Sequence, residues 1–398
     1  MELESSSSSF PPSSSSFLKP LAAGDTTAKP TTAKAAAEGA RLAMLTRFDA
    51  GYFRISLALS GQALLWRTLS DDSAGAGAGA GGEAAAPRLM VRSLPSAAFV
   101  LLWSLALAAL VALCALYGAR CVLRFAAVRA EFRHHVAMNY LFAPWISWLL
   151  LLQSAPFPAL RPGAAAYRVL WWAFSLPILA LDVKIYGQWF TRGRKFLSMV
   201  ANPASHITVI GNLVTARAAA KMGWHEAAVA IFAVGAAHYL VLFVTLYQRF
   251  LGSDSLPAML RPVFFLFFAA PSMASLAWDA ISASFDTSCK MLFFLSIFLF
   301  ASLVSRPMLF RRAMRRFSVA WWAYSFPVTV LALAAAEYAR EVRAAAANVL
   351  MLALAVLSVA VTLALMLFTA LRTNDLLPHH DPFHLPSSLP SRRAAATP

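Results

Sequence analysis

Long, mostly apolar runs alternate along this chain with short clusters of arginine, and ten of the runs read as membrane spans. A helix crossing the ~30 Å hydrocarbon core needs about 20 apolar residues. The expected spans are 48–69, 96–119, 139–153, 167–186, 202–222, 227–247, 262–281, 291–305, 317–337 and 344–371. An even count places both chain ends on one side, and the segments sharing that side hold most of the Lys and Arg, including Arg120, Arg124, Arg129 and Arg133 before span three. The positive-inside rule therefore predicts both termini in the cytoplasm. The Ser-, Ala- and Pro-rich stretch 1–45 reads as a disordered tail, 46–375 as the membrane domain and 376–398 as a second short tail.

Prolines follow the same alternation. Spans three, five, seven and nine contain Pro144, Pro203, Pro271 and Pro327, whereas spans two, six, eight and ten have none internally. Span one has Gly51 and Gly61 instead, and span four departs from the rule through Pro177. A helix breaker at membrane depth is tolerated where the freed backbone meets protein or a water-lined cavity. The pattern predicts an all-α polytopic membrane protein of ten transmembrane helices, the five odd ones kinked and inside, around a narrow passage, the five even ones straight and outside. Phe326 stands directly before Pro327, with Trp322 and Val330 one turn to either side, so its ring is the candidate gate of such a passage. The segments WWAFSLP (171–177) and WWAYSFP (321–327) match closely, which hints at an internal duplication.

Composition agrees with a membrane protein: 60% of the 398 residues are hydrophobic and 13% charged, with a mean hydropathy of +0.63, against about 25% charged in soluble domains. The net charge of +16 falls between greasy spans with no nucleic-acid module in sight, so no nucleic-acid partner is expected. Cys114, Cys121 and Cys289 have neither metal nor disulfide spacing. No nucleotide loop, HExxH motif or serine elbow is present, which argues against an enzyme and against a cofactor or metal. Polar residues within the odd spans are the candidates for pore polarity: His206, Asn212, Arg217, Ser272 and Ser325, with Asn139, Thr208 and Ser275 beside them. Acids are scarce among them, which favours a permeating anion over a cation, and small anions such as chloride and nitrate over phosphate or sulfate, which demand many charge-assisted bonds. Arg54, five residues after Asp49, reads as half of a structural pair near the surface.

Six stretches carry a family resemblance: FDAGYFRISLALSGQALLW (48–66), VKIYGQW (183–189), VANPASHITVIGN (200–212), GAAHYLVLFVTLYQR (235–249), AAPSMASLAW (269–278) and FSVAWWAYSFP (317–327). Together they resemble the plant slow-type anion channel family, itself distantly similar to bacterial tellurite-resistance/dicarboxylate transporters. The resemblance covers about residues 46 to 377. It implies ten helices per subunit with the five odd ones around the pore, a homotrimer or a mixed trimer with longer homologues, a plasma-membrane location, and occlusion by the phenylalanine of YSFP, which is Phe326 here. The guard-cell member has longer ends acted on by kinases, and this chain looks more like the short homologues; its serine-rich tail keeps a regulatory kinase open as a partner. Beside a chloride- or nitrate-passing channel, two readings stay open: a silent or modulatory subunit, and a secondary transporter of organic acids such as malate.

Overall fold

The computed structural model describes residues 45, 48–75, 96–191, 201–251, 261–311, 313–315 and 317–372, so both expected tails lie outside the described residues apart from Leu45. Among the described residues there is no strand. The principal helices are α1 (Phe53–Gly75), α2 (Ser96–Leu123), α3 (Phe125–Arg133), α4 (Ala143–Gln153), α5 (Ala165–Thr191), α6 (His206–Lys221), α7 (His225–Leu251), α8 (Leu266–Ser282), α9 (Thr287–Val304), α10 (Ser325–Val342) and α11 (Ala345–Leu371). Among the described residues seven helices are long and apolar enough to cross a membrane, and an eighth is added when the bent pair 125–133 and 137–153 is counted as one. The two expected spans outside that measure are α1, diluted by Ser56, Ser60, Gln62 and its arginines, and α6, which is 16 residues long and carries His206, Asn212 and Arg217.

Burial explains why these two need not be greasy. Every residue of α6 from His206 to Ala219 is buried. In the most apolar stretches of α8 and α10, 83% and 89% of residues are buried, against 17% to 33% in α2, α5, α7, α9 and α11. A helix enclosed by other helices takes its hydrogen-bond partners from protein and can carry polar groups, whereas one facing outward must present hydrocarbon. Small residues let the enclosed helices approach closely, as at Ala332, Ala334, Ala335 and Ala336 of α10, all buried.

The prolines shape the helices differently from a row of mid-span kinks. Only Pro271 in α8, of the four in odd spans, sits well inside a helix, as Pro177 does in α5. Pro144 is the second residue of α4, after a separate helical turn at Ala137–Tyr140. Pro203 opens a 3-10 turn, Pro203–Ser205, where the Asn202 side chain accepts the Ala204 N–H at 3.0 Å ahead of α6. Pro327 is the third residue of α10, preceded by the 3-10 stretch Val319–Tyr324. The first N–H groups of a helix lack intrahelical partners in any case, so proline there costs little. The two WW motifs consequently differ in structure: 171–177 lies within the continuous α5, and 321–327 straddles a 3-10 to α-helix junction.

Helix α3 turns sharply away from the spans, at 106° to the segment 137–153 that follows. It is tied down by Glu131, whose carboxylate accepts the Ala50 N–H at 2.7 Å, ahead of α1, and the Arg120 guanidinium at 2.8 Å, at the end of α2. Burial pushes this carboxyl from the ordinary 4.5 up to about 7, while the Ala50 N–H and Arg120 act against the rise. The folded chain therefore holds more protons at this site than the unfolded chain between those values, and the stability linked to it grows as the pH falls through about 7. In Glu131→Gln that slope should vanish. Thermal melts of wild type and variant in detergent, taken from mildly acid to neutral pH, test this; parallel curves would show that Glu131 does not titrate there.

Candidate pore and its gate

A small cavity lies among the buried helices, and each of the five odd spans contributes to its wall. Arg54 and Leu57 come from α1, Tyr140 from the turn before α4, and Ile207 from α6. Val263 and Leu266 come from the start of span seven, and Trp322, Ala323, Phe326 and Pro327 from the 3-10 junction that opens α10. Among the described residues, none of an even span lines it. The space open to the centre of a water-sized sphere is about 10 Å³, the room of a single water molecule.

Phe326 is buried at 2% exposure and stands on the junction because the 3-10 stretch ends two residues earlier, at Tyr324. Its ring packs against Gly61 of α1, where an added Cβ would lie 3.1 Å from Phe326 Cδ2 and 3.5 Å from Thr329 Cγ2. Behind the ring, the Gln62 amide bridges three helices. Its Nε2 lies 3.0 Å from Thr329 Oγ1 of α10, and 2.6 Å from Ser358 Oγ and 2.8 Å from Thr362 Oγ1 of α11. The hydroxyl of Ser325, one of the pore-polarity candidates, joins this cluster 2.7 Å from Thr362 Oγ1. A buried cluster with each group partnered resists rearrangement, because pulling one member away strands the rest. The ring thus packs against a fixed support.

Among the described residues that line the cavity, Arg54 is the single charged group. Its Nε donates to the Gly51 carbonyl at 2.8 Å and its guanidinium carbon lies 4.6 Å from the centre of the Tyr140 ring. Asp49 accepts the Gly51 N–H at 2.7 Å, capping the 3-10 turn Ala50–Tyr52. The expected structural pair is therefore arranged around Gly51, and its arginine reaches the cavity. The signal for Arg54 was present in the sequence as a cation inside a span.

The other candidates are engaged elsewhere. Arg217 donates to Gln153 Oε1 at 2.7 Å, near the far ends of α6 and α4. Ser272 donates back to the Phe268 carbonyl of its own helix at 2.8 Å. His206 is fully buried, its Nδ1 3.2 Å from the Pro203 carbonyl and its ring against Phe267. Asn212 faces α7, where a Cβ on Gly235 would stand 3.1 Å from its own Cβ. Among the described residues no group of three or more His, Cys, Asp or Glu could hold a metal ion.

A side chain at Gly61 tests how tightly the ring is held. Gly61→Val should overpack this contact and lower stability by about 1–3 kcal/mol, read as a fall in the melting temperature in detergent. An unchanged melt would mean that the ring has slack against α1.

Comparison with known proteins gives this arrangement its family. Residues 47–370 match the family model described as voltage-dependent anion channel, SLAC1. The S-type anion channel SLAH1 of Arabidopsis thaliana is 52% identical over 86% of this chain and 85% of that protein. SLAH4 of the same plant is 51% identical over 84% and 87% of the two chains. The guard cell S-type anion channel SLAC1 is 40% identical over 82% of this chain and 56% of its own length. The resemblance read from the sequence motifs holds over most of the chain, and the protein belongs to the SLAC1/SLAH family of S-type anion channels.

Proposed function

We propose that this chain is an anion channel of the plasma membrane, passing chloride and nitrate through a passage between its five odd helices and closed by the Phe326 ring. The observation that carries the reading is the cavity itself: walled by all five odd spans, charged only by Arg54, and no roomier than one water beside Phe326. In this reading the ring closes the passage by leaving too little room beside it for a chloride ion, and apolar walls exclude ions by dewetting as well. Among the described residues of the wall there is one guanidinium and no carboxylate, which supports an anion as the permeating ion. The family membership supports the same activity. In this reading α1 and α6 complete ten crossings, enclosed by the greasier helices, and both termini face the cytoplasm. Three such subunits assemble, each with its own passage.

Removing the ring should open the passage. In voltage-clamped cells, Phe326→Ala is expected to carry an anion current at least several-fold above wild type, with a reversal potential that follows the chloride or nitrate gradient. A variant that reaches the surface and conducts no more than wild type would remove Phe326 from the gate.

Arg54 is expected to concentrate anions at the constriction. In the Phe326→Ala background, Arg54→Gln should lower unitary conductance severalfold, while Arg54→Lys keeps much of it. Equal conductance in all three would make Arg54 a packing group only.

A further inference from the structure

Helix α3 carries a feature that conduction does not require. Taken at 100° per residue, Phe125, Arg129, Phe132 and Arg133 share one arc of about 100°, and Glu131 points the opposite way. The arc faces outward: Phe125 is 66% and Phe132 39% exposed, and Arg124, Arg129 and Arg133 are exposed beside them. Lys184 of α5 adds a fourth cation, with its Nζ 2.8 Å from the centre of the Phe132 ring and 2.8 Å from the Phe132 carbonyl. Glu131, the single acid between Arg120 and His135, is turned inward onto Ala50 and Arg120. The outward face is therefore cationic and aromatic with no carboxylate of its own segment to neutralise it.

Its placement decides what can cover it. The helix follows the end of a membrane span at Leu123 and runs at 106° to the next helical segment, which lays it along a bilayer surface. The turn before it exposes Val122 at 83% and Leu123 at 57%. Apolar side chains at that depth meet the acyl boundary, and arginines beside them meet the headgroups.

We propose that α3 is a binding site for anionic phospholipid, with Phe125 and Phe132 seated at the acyl boundary and Arg124, Arg129, Arg133 and Lys184 on the headgroup phosphates and carboxylates. The charge complementarity favours a lipid surface over a neutral partner, and the in-plane course of the helix favours it over a soluble anion. Lipid held there also secures the helix whose inner edge, through Glu131, fixes the backbone before α1. That helix carries Arg54 and Gly61. The site stands whether or not the passage conducts.

The test uses the full chain in nanodiscs of phosphatidylcholine with phosphatidylserine, and counts the phosphatidylserine retained on the protein after dilution into phosphatidylcholine, at low and high salt. A basic side chain near an anionic surface contributes about fivefold in affinity. The triple variant Arg124→Gln, Arg129→Gln, Arg133→Gln should therefore bind phosphatidylserine about a hundredfold more weakly, and wild-type retention should fall with salt. The corresponding triple lysine variant should retain the lipid, which separates loss of charge from misfolding. Retention by the glutamine variant equal to wild type would overturn the proposal and leave this face to a second copy of the chain or another protein. Retention that ignores salt would overturn it too.

Discussion

Inside hydrocarbon, a backbone group freed by a broken helix must find its partner in protein, and this one constraint arranges the molecule. Among the described residues every odd span is interrupted or starts late, whereas the even spans run as continuous helices, with an internal proline only in the Pro177 helix. The greasy helices can face outward because their own ladders are complete. The enclosed ones are thereby released from the need to be apolar, which is why Gln62, Thr208, Asn212 and Thr329 can sit at full or nearly full burial.

That release puts the cavity at the junctions. The 3-10 stretch and the first turn of α10 together set Trp322, Ala323, Phe326 and Pro327 against the space between the helices. Gly61 then lets α1 approach the ring to van der Waals distance, and the Gln62 cluster one residue along prevents the two helices from sliding past each other. The ring and its backing therefore come from neighbouring positions of the same two helices.

The membrane surface is tied to the same helix. Through Glu131 the in-plane helix α3 holds the backbone at Ala50, three residues before α1 begins and four before Arg54. The position of Arg54 is thus tied to a carboxylate on α3, and the outward side of α3 carries Arg124, Arg129 and Arg133.

Much of this was legible in one dimension. Runs of apolar residues, arginine clusters and the proline alternation marked where helices lie and which of them are enclosed, because hydrocarbon imposes its demands residue by residue along the chain. Phe326 could be picked out by its place before Pro327 in an aromatic run. The cavity wall was harder to read, since Leu57, Tyr140, Ile207 and Val263 look like any core residue and meet only because four separate breaks coincide in space. Arg54 and Arg217 were both cations within spans, and nothing in their local sequence says which one reaches the cavity. Tertiary packing decided it: Gln153 holds Arg217 near the far end of α6, while the turn at Gly51 and the Tyr140 ring aim Arg54 at the space beneath Phe326. The sequence by itself determined which segments leave water and which carry breaks, and the fold alone decided where those breaks converge, because direction and distance between helices belong to packing and have no one-dimensional trace.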